Sequence, residues 1–359
     1  PIAVAMSGGV DSSVAALLLK RAGHEVFGIH MRNWDEEEER GEFKGAGACS
    51  ASQDLADAKD TCRALGIELR EVNFVREYWT RVFEPTLEGY CAGVTPNPDV
   101  MCNREIKFDP LLDTALRMGA VALATGHYAR IAYPEEGGEG AAGLLRAIDR
   151  SKDQSYFLSS VSGARLARSV FPLGGLPKAR VREIAHEAGL PAAAKRESMG
   201  LCFIGKRDFK HFLAQYVPPA APGRFVGIDG EDLGVNEGAH LYTIGQGARI
   251  GGAKGKWYVV SKDMRSGNVL VALGTDHPAL FSSEFESAAP HWVRGSAPPL
   301  PSRYQFRVRH QGELVDGEVR ELPGGGLHVR SDKPMRAIAP GQIAAFYDGE
   351  ECLGCGPIA

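Results

Sequence analysis

Nine residues near the start of the chain have the types and spacing for phosphate chemistry: Ala5-Met6-Ser7-Gly8-Gly9-Val10-Asp11-Ser12-Ser13. Two glycines allow a tight turn and let the backbone approach a ligand with no Cβ in the way. Ser7, Ser12 and the first N–H groups of a following helix supply donors. The helix N-terminus adds a positive dipole, so a pyrophosphate fits there. Asp11 is out of place beside an anion unless it caps the helix or helps to hold Mg²⁺. The string is not G-x-x-x-x-G-K-[ST], and no G-x-G-x-x-G accompanies it. The glycine cluster Gly245-Gln246-Gly247-Ala248-Arg249-Ile250-Gly251 has the wrong spacing.

A second chemistry comes from thiols. The chain has seven cysteines, an odd number thinly spread. A secreted disulfide scaffold is denser and paired, so we expect a reducing compartment with functional cysteines as thiols. Cys102 follows Asp99 by three residues, after the stiff loop Thr95-Pro96-Asn97-Pro98. If a helical turn begins there, the two share a face. The carboxylate raises the thiol pKa but can relay protons, while Arg104 and Lys107 offset its charge. Cys202 has basic residues on both sides, which favour its thiolate. Cys62 falls on a helix core face, and Cys49 and Cys91 read as small apolar residues. Cys352 and Cys355 form a lone C-x-x-C without the two further ligands a zinc site needs.

These residues need a scaffold, and the hydrophobic pattern supplies one. Residues 2–5, 26–31, 67–72 and 120–124 read as strands. Residues 12–21, 52–65, 76–90 and 108–118 read as helices, with Gly23 and Gly66 as stops. Alternation with short links predicts α/β architecture: a doubly wound parallel sheet. Beyond about residue 205 helical periodicity fades. Short β-rich runs at 224–228, 257–261, 269–271, 305–309, 326–330 and 342–347 predict a small central β-rich domain and a C-terminal antiparallel β-barrel. The divisions expected are 1–205, 206–275 and 276–359. Residues 287–301, rich in Pro, Ala and Ser, are expected to be a joint.

Composition sets outer limits. At 44% hydrophobic and 24% charged over 359 residues, wholesale disorder is excluded. No apolar run reaches the ~18 residues of a spanning helix, so no membrane partner is expected. A net charge of −4 argues against reliance on non-specific nucleic-acid binding, yet residues 176–215 carry a local net of +4, while 35–39 are five acids in a row.

The phosphate string resembles the pyrophosphate loop of the ATP pyrophosphatase superfamily, adenine nucleotide α-hydrolase-like enzymes that cleave ATP between its α and β phosphates. By itself it leaves amidation, lysidine synthesis and thiolation open. Over nearly its whole length the chain resembles the tRNA-specific 2-thiouridylases. The resemblance rests on Met31-Arg32-Asn33-Trp34, Thr95–Asp99, Cys102-Asn103, Ile106-Lys107-Phe108, Ala124-Thr125-Gly126-His127-Tyr128 and Lys152–Leu158. It continues through Phe171–Gly174, Cys202–Gly205, Tyr242–Gln246 and Trp257–Val260. Glu197–Gly200 and Thr275–Leu280 resemble the mitochondrial branch of the family. With a start at Pro1 in place of Met, this leads us to expect a leader removed on the way to the mitochondrial matrix, the alternative being the bacterial cytoplasm.

The resemblance implies ATP held by Ala5, Met6, Ser7, Gly8, Gly9, Val10, Asp11 and Ser12, with Met31 and Gly126 near the nucleotide and Mg²⁺ near Asp11. It implies adenylation of the C2 oxygen of a tRNA wobble uridine and sulfur transfer from a Cys202 persulfide loaded by a sulfur-donor protein. Cys102 is then the partner thiol and Asp99 the acid/base, with Asn97 and Pro98 lining the base pocket. Lys152, Asp153, Gln154, Arg309 and His310 are implied to contact tRNA, with the basic 176–215 stretch along its backbone. Two departures stand out: Gly247 where the family has Arg, the nearest substitute being Arg249, and Cys355 where it has Gly.

Overall fold

A computed structural model describes residues 1–34, 51–134, 141–195, 212–213, 215–217, 222–251 and 255–359. Seven strands belong to its first part: β1 (Ile2–Ala5), β2 (Val26–Arg32), β3 (Leu69–Asn73), β4 (Ala122–Ala124), β5 (Ala129–Ala132), β6 (Gly143–Arg146) and β7 (Ser169–Val170). Five of them form a parallel sheet in the order β3-β2-β1-β4-β7. Its strands are short and apolar; Ala3 and Val4 of β1 are fully buried between two helix layers. Helix α1 (Val10–Arg21) packs on one face, with Ala51–Leu65 and Lys178–Glu187. The other face is covered by the segments that run from Val75 to Cys91 and from Pro98 to Arg117. The sheet is therefore doubly wound, as expected.

The chain leaves β1 toward β2 and β3, then returns to place β4 on the other side of β1. That reversal opens a crevice beyond the carboxyl ends of β1 and β4, where α/β sheets bind ligands.

The central strands are β8 (Arg224–Gly227), β9 (Asp232–Val235), β10 (Gly247–Ala248), β11 (Trp257–Lys262) and β12 (Val269–Leu273). They form a sheet in the order β10-β11-β12-β8-β9, antiparallel except for β12 with β8. It closes on a small core of Phe225, Tyr242, Val259, Val269 and Val271.

The last strands are β13 (Phe281–Ser287), β14 (His291–Trp292), β15 (Ser302–Arg307), β16 (Val315–Glu321), β17 (Leu327–Arg336), β18 (Ile343–Asp348) and β19 (Glu351–Pro357). They pair antiparallel in the order β13-β17-β16-β15-β18-β19. A bridge between Ser287 and Ile358, with Ala288 N–H donating to Pro357 O at 2.8 Å, closes the barrel. Alternation of buried and exposed residues along β16 and β17 gives the barrel its interior.

Two features differ from the sequence expectation. β5 and β6 extend the barrel sheet, β6 pairing with β19 through Leu144↔Cys352. Residues 287–301 are not a joint: β14 pairs with β19, and Val293 is buried in the core between barrel and first part. A Pro/Ala/Ser composition reads as linker, but tertiary pairing satisfies its backbone within the barrel.

Candidate functional site

The phosphate loop lies where the fold makes its crevice. Met6 N–H donates to Ile29 O at 2.8 Å, and Met6 O lies 2.8 Å from His30 Nδ1, so β2 holds the exit of β1. The loop is then knit internally. Ser7 N–H donates to Ser12 Oγ at 3.3 Å, Gly9 N–H to Ser7 Oγ at 3.4 Å, and Ser13 Oγ–H to Gly9 O at 2.8 Å. Gly8 has φ +74°, and a Cβ there would sit 2.2 Å from Asp54 O. Gly126, just past β4, closes the other wall: a Cβ there would sit 2.8 Å from Ser12 N and 2.9 Å from the Asp11 carbonyl carbon. Met31 is the penultimate residue of the neighbouring β2. The ten nucleotide candidates thus gather at the carboxyl ends of β1, β2 and β4.

Asp11, out of place in the sequence, has a partner. Lys178 donates to both its oxygens, at 2.7 and 2.8 Å, and Tyr128 Oη–H donates to Oδ1 at 2.7 Å. The lysine is nine-tenths buried. Lys195 holds the other side, donating to Gly8 O at 3.2 Å, to Asp54 at 2.7 Å and to Asp57. Burial works against its charge, but the two carboxylates outweigh that and raise its pKa. Two of the eight basic residues of 176–215 therefore serve the phosphate loop and do not form an RNA-facing surface. Arg180, on the exposed face of its helix, pairs with Glu183 and Glu187. Sequence reasoning missed the roles of Lys178 and Lys195 because their partners lie 167 and 187 residues away.

The Asp99–Cys102 turn forms as expected. Asn97 Oδ1 accepts from Val100 N–H at 3.2 Å and caps the helix Pro98–Cys102. Asn103 Nδ2–H donates to Asp99 O at 3.1 Å and to Phe157 O at 3.2 Å, tying the turn to the next candidate string. Asp99 is half-buried. Cys102 is 1% exposed and packs in the cluster that also takes Ala5 and Met31, so its thiol lies on the sheet face below the crevice. His127, next to Gly126, is enclosed, and its Nδ1 lies 2.7 Å from Thr125 Oγ1. Burial first, then Lys107, pushes its pKa well below the ordinary value, leaving the ring neutral. Cys202 and Cys49 lie outside the described residues. Cys62, Cys352 and Cys355 are buried free thiols; burial raises the pKa of Cys62 and of Cys355 to about 11. Cys355, the departure from the family, lies in the core between barrel and first part.

The last candidates meet between the first part and the barrel. Lys152 lines a cationic groove of about 520 Å³ with Arg146, Arg150, Arg307, Gln311 and Glu313. Arg309 is exposed at its edge, and the His310 ring lies 4.2 Å from that of Phe157, tilted by 34°. Asp153 corrects the sequence expectation. Its side chain is fully buried and accepts from Arg307 at 2.6 Å, Ser155 Oγ at 2.9 Å and Ala147 N–H at 3.1 Å. Buried charges persist only when paired in this way, so Asp153 binds the barrel to the first part and its carboxylate does not face the groove. Gln154 likewise accepts from Tyr128 N–H at 2.9 Å. Gly247 and Arg249 are both exposed beside β11.

A phosphate loop at the switch point of a doubly wound parallel sheet, with a thiol beneath it and two β domains beyond, defines an ATP-using enzyme of the HUP class. Family profiles agree along the chain: a tRNA methyl transferase HUP domain over residues 1–206, a tRNA methyl transferase PRC-barrel domain over 210–273 and an aminomethyltransferase beta-barrel domain over 282–358. The tRNA-specific 2-thiouridylase MnmA 2 of Geobacillus kaustophilus is 46% identical over 359 residues, covering 99% of this chain and 94% of that protein. The MnmA of Lysinibacillus sphaericus is 46% identical over 363 residues, covering 99% and 93%. Among solved structures, a 4-thiouridine synthetase–RNA complex with bound ATP is similar at 17% identity and a TM-score of 0.32, covering 60% of this chain and 46% of that one. The chain belongs to the tRNA-specific 2-thiouridylase family. The profile names speak of methyl transfer, whereas the relatives are named for thiolation. The relatives named are bacterial, which overturns the expected mitochondrial location in favour of its bacterial alternative.

Proposed function

We propose that this chain places sulfur at C2 of a tRNA wobble uridine, using ATP to activate the C2 oxygen. What carries the reading is the coincidence, at one crevice, of a glycine-serine phosphate loop and the Asp99–Cys102 turn, in a chain 46% identical to 2-thiouridylases.

The loop Ala5–Ser12 holds the phosphates through N–H groups, Ser7 and the dipole of α1, with Met31 and Gly126 beside the nucleotide. Among the described residues no group of three or more His, Cys, Asp or Glu side chains could hold a metal. Asp11 is already engaged by Lys178. Mg²⁺ would be carried on the phosphates and neutralise them, with Asp11 the carboxylate in the first turn of α1 beside it.

Adenylation turns the C2 oxygen into a leaving group, with pyrophosphate released. Cys202 carries a persulfide from a donor protein. Its terminal sulfur attacks C2 and AMP departs, leaving a C2–S–S–Cys202 link; Cys102 then attacks the Cys202 sulfur, breaking that S–S bond, so the thiocarbonyl stays on C2 and the two cysteines join. Alternatively Cys102 displaces hydrosulfide from the persulfide, and hydrosulfide attacks C2. Either route leaves a Cys102–Cys202 disulfide for a thiol to reduce. Asp99 moves the proton at the base, and Asn97 and Pro98 line its pocket. The flipped base enters from a tRNA held by Lys152, Arg309 and His310. Asp153 and Gln154, the other two residues of that contact set, support these neighbours from beneath. In this division, residues 1–205 carry the chemistry, 206–275 form the central domain and 276–359 the tRNA-contacting barrel.

The test is single-turnover thiolation of unmodified tRNA with ATP, Mg²⁺ and a persulfide donor, for the wild type, Cys102→Ala and Cys202→Ala. Thiouridine and AMP from the wild type, with thiolation abolished in either variant, are expected. AMP without thiouridine would point to another nucleophile, and neither product despite tRNA binding would reduce the chain to a binder.

A further inference from the structure

The loop that leads into the Asp99–Cys102 turn is held by all three parts of the molecule at one residue. Thr95 is buried. Its N–H donates to Pro340 O at 2.8 Å, and its carbonyl accepts from Gln342 Nε2 at 2.8 Å; both partners belong to the barrel. Its hydroxyl lies 3.2 Å from that of Thr243, in the central domain. The fit is close: a Cβ on Gly341 would sit 2.8 Å from Thr95 N and 2.9 Å from Val94 Cβ.

The chain between Thr95 and Asp99 is stiff. Pro96 and Pro98 have fixed φ, and Thr95 and Asn97, each before a proline, are barred from the helical region. Pro96 packs against Gly89, where a Cβ would sit 2.3 Å away. Asn97 then caps the turn itself. With so few soft torsions, a shift at Thr95 reaches Asp99 and Cys102 largely undamped.

We propose that Thr95 is a positioning residue through which the central domain and the barrel set the placement of Asp99 and Cys102. The catalytic turn is then in register only when both β domains are docked, which links the domains that approach tRNA to the chemistry. The inference rests on the assignment of Asp99 and Cys102 to that chemistry.

The test uses the full chain with saturating ATP, tRNA and persulfide donor. Thr95→Val and Thr243→Val each remove one side of the same hydroxyl pair without changing shape. Each should slow single-turnover thiolation about tenfold, with the KM for ATP and the Kd for tRNA within about twofold of wild type. Because they share one interaction, the double variant should be no slower than either single. Thr95→Ser keeps the hydroxyl and should restore the rate. Gly341→Ala, which pushes on Thr95 from the barrel, should slow thiolation by about a hundredfold; if it does not fold, the threonine variants decide. Wild-type rates in Thr95→Val and Thr243→Val, additive losses in the double, or losses confined to ATP or tRNA affinity would overturn the inference. A wild-type protein that forms no thiouridine would instead overturn the reading of the site itself.

Discussion

The ammonium of Lys178 meets both carboxylate oxygens of Asp11, at 2.7 and 2.8 Å, across 167 residues of sequence. In the proposed site, this pair explains how a carboxylate can stand in the first turn of a helix whose N-terminus would receive phosphate. Without the lysine, Asp11 would repel the ligand that the dipole of α1 attracts. The lysine is nine-tenths buried, and the half-buried carboxylate is also braced by Tyr128, so the pair holds the loop in shape as well as in charge.

Lys178→Met should therefore raise the KM for ATP by roughly ten- to a hundredfold, the equivalent of the ~1.5–3 kcal/mol of a charged hydrogen bond. Adding Asp11→Asn should recover part of that loss, because the unpaired carboxylate is then gone. AMP formation at varied ATP, for the single and double variants, checks both. A double variant worse than Lys178→Met would mean that Asp11 contributes directly to binding.

Gly126 makes a second, steric prediction. Any Cβ at this position meets the backbone of Asp11 and Ser12, and backbone cannot rotate away as a side chain can. Gly126→Ala should displace the phosphate loop, raising the KM for ATP at least about tenfold. The affinity for tRNA, read by filter binding, should stay at the wild-type value.

The contrast between these positions explains how far sequence alone can go. The phosphate loop and the Asp99–Cys102 turn are legible because their geometry is local: glycines before a helix, and an aspartate three residues from a cysteine after two prolines. The strand–helix alternation is legible for the same reason, since periodicity reports which face is buried. Pairings across long sequence distances are not. Nothing near Lys178 or Lys195 names Asp11 or Asp54, so both merge into a basic run that resembles an RNA face. Nothing near Leu144 names Cys352, so β6 is absent from the expected barrel. Asp153 sits beside Lys152 in a string that the resemblance assigns to tRNA contact, although its carboxylate points into the core toward Arg307.

His127 ties stability to pH. In the fold its pKa lies well below 6.5, because burial and Lys107 disfavour the imidazolium; in the unfolded chain it returns to about 6.5. Below that value the unfolded state takes up a proton that the folded state refuses, so stability is full above it and falls as the pH drops toward the folded value. The slope for this one group is about 1.4 kcal/mol per pH unit. Melting curves between pH 7.5 and 5 should show His127→Gln losing less stability than wild type over that interval. Parallel curves would mean that the folded state does accept the proton.

The buried pair of Asp153 and Arg307 separates anchoring from RNA contact. Asp153→Ala leaves a guanidinium that is 5% exposed without its carboxylate, where the 147–155 loop meets β15. Removing one partner of such a pair costs about 3–5 kcal/mol, which should lower the melting midpoint by roughly 10 °C. The salt dependence of tRNA binding should remain, because no phosphate partner has been removed. Lys152→Ala should do the reverse. It should leave the melting midpoint in place and reduce the magnitude of the salt slope by about 0.7 to 0.9, the share of a single neutralised phosphate. Thermal melts and tRNA titrations at several salt concentrations on both variants decide between the roles. An Asp153→Ala protein that melts like wild type but binds tRNA with a smaller salt slope would return that carboxylate to the RNA interface.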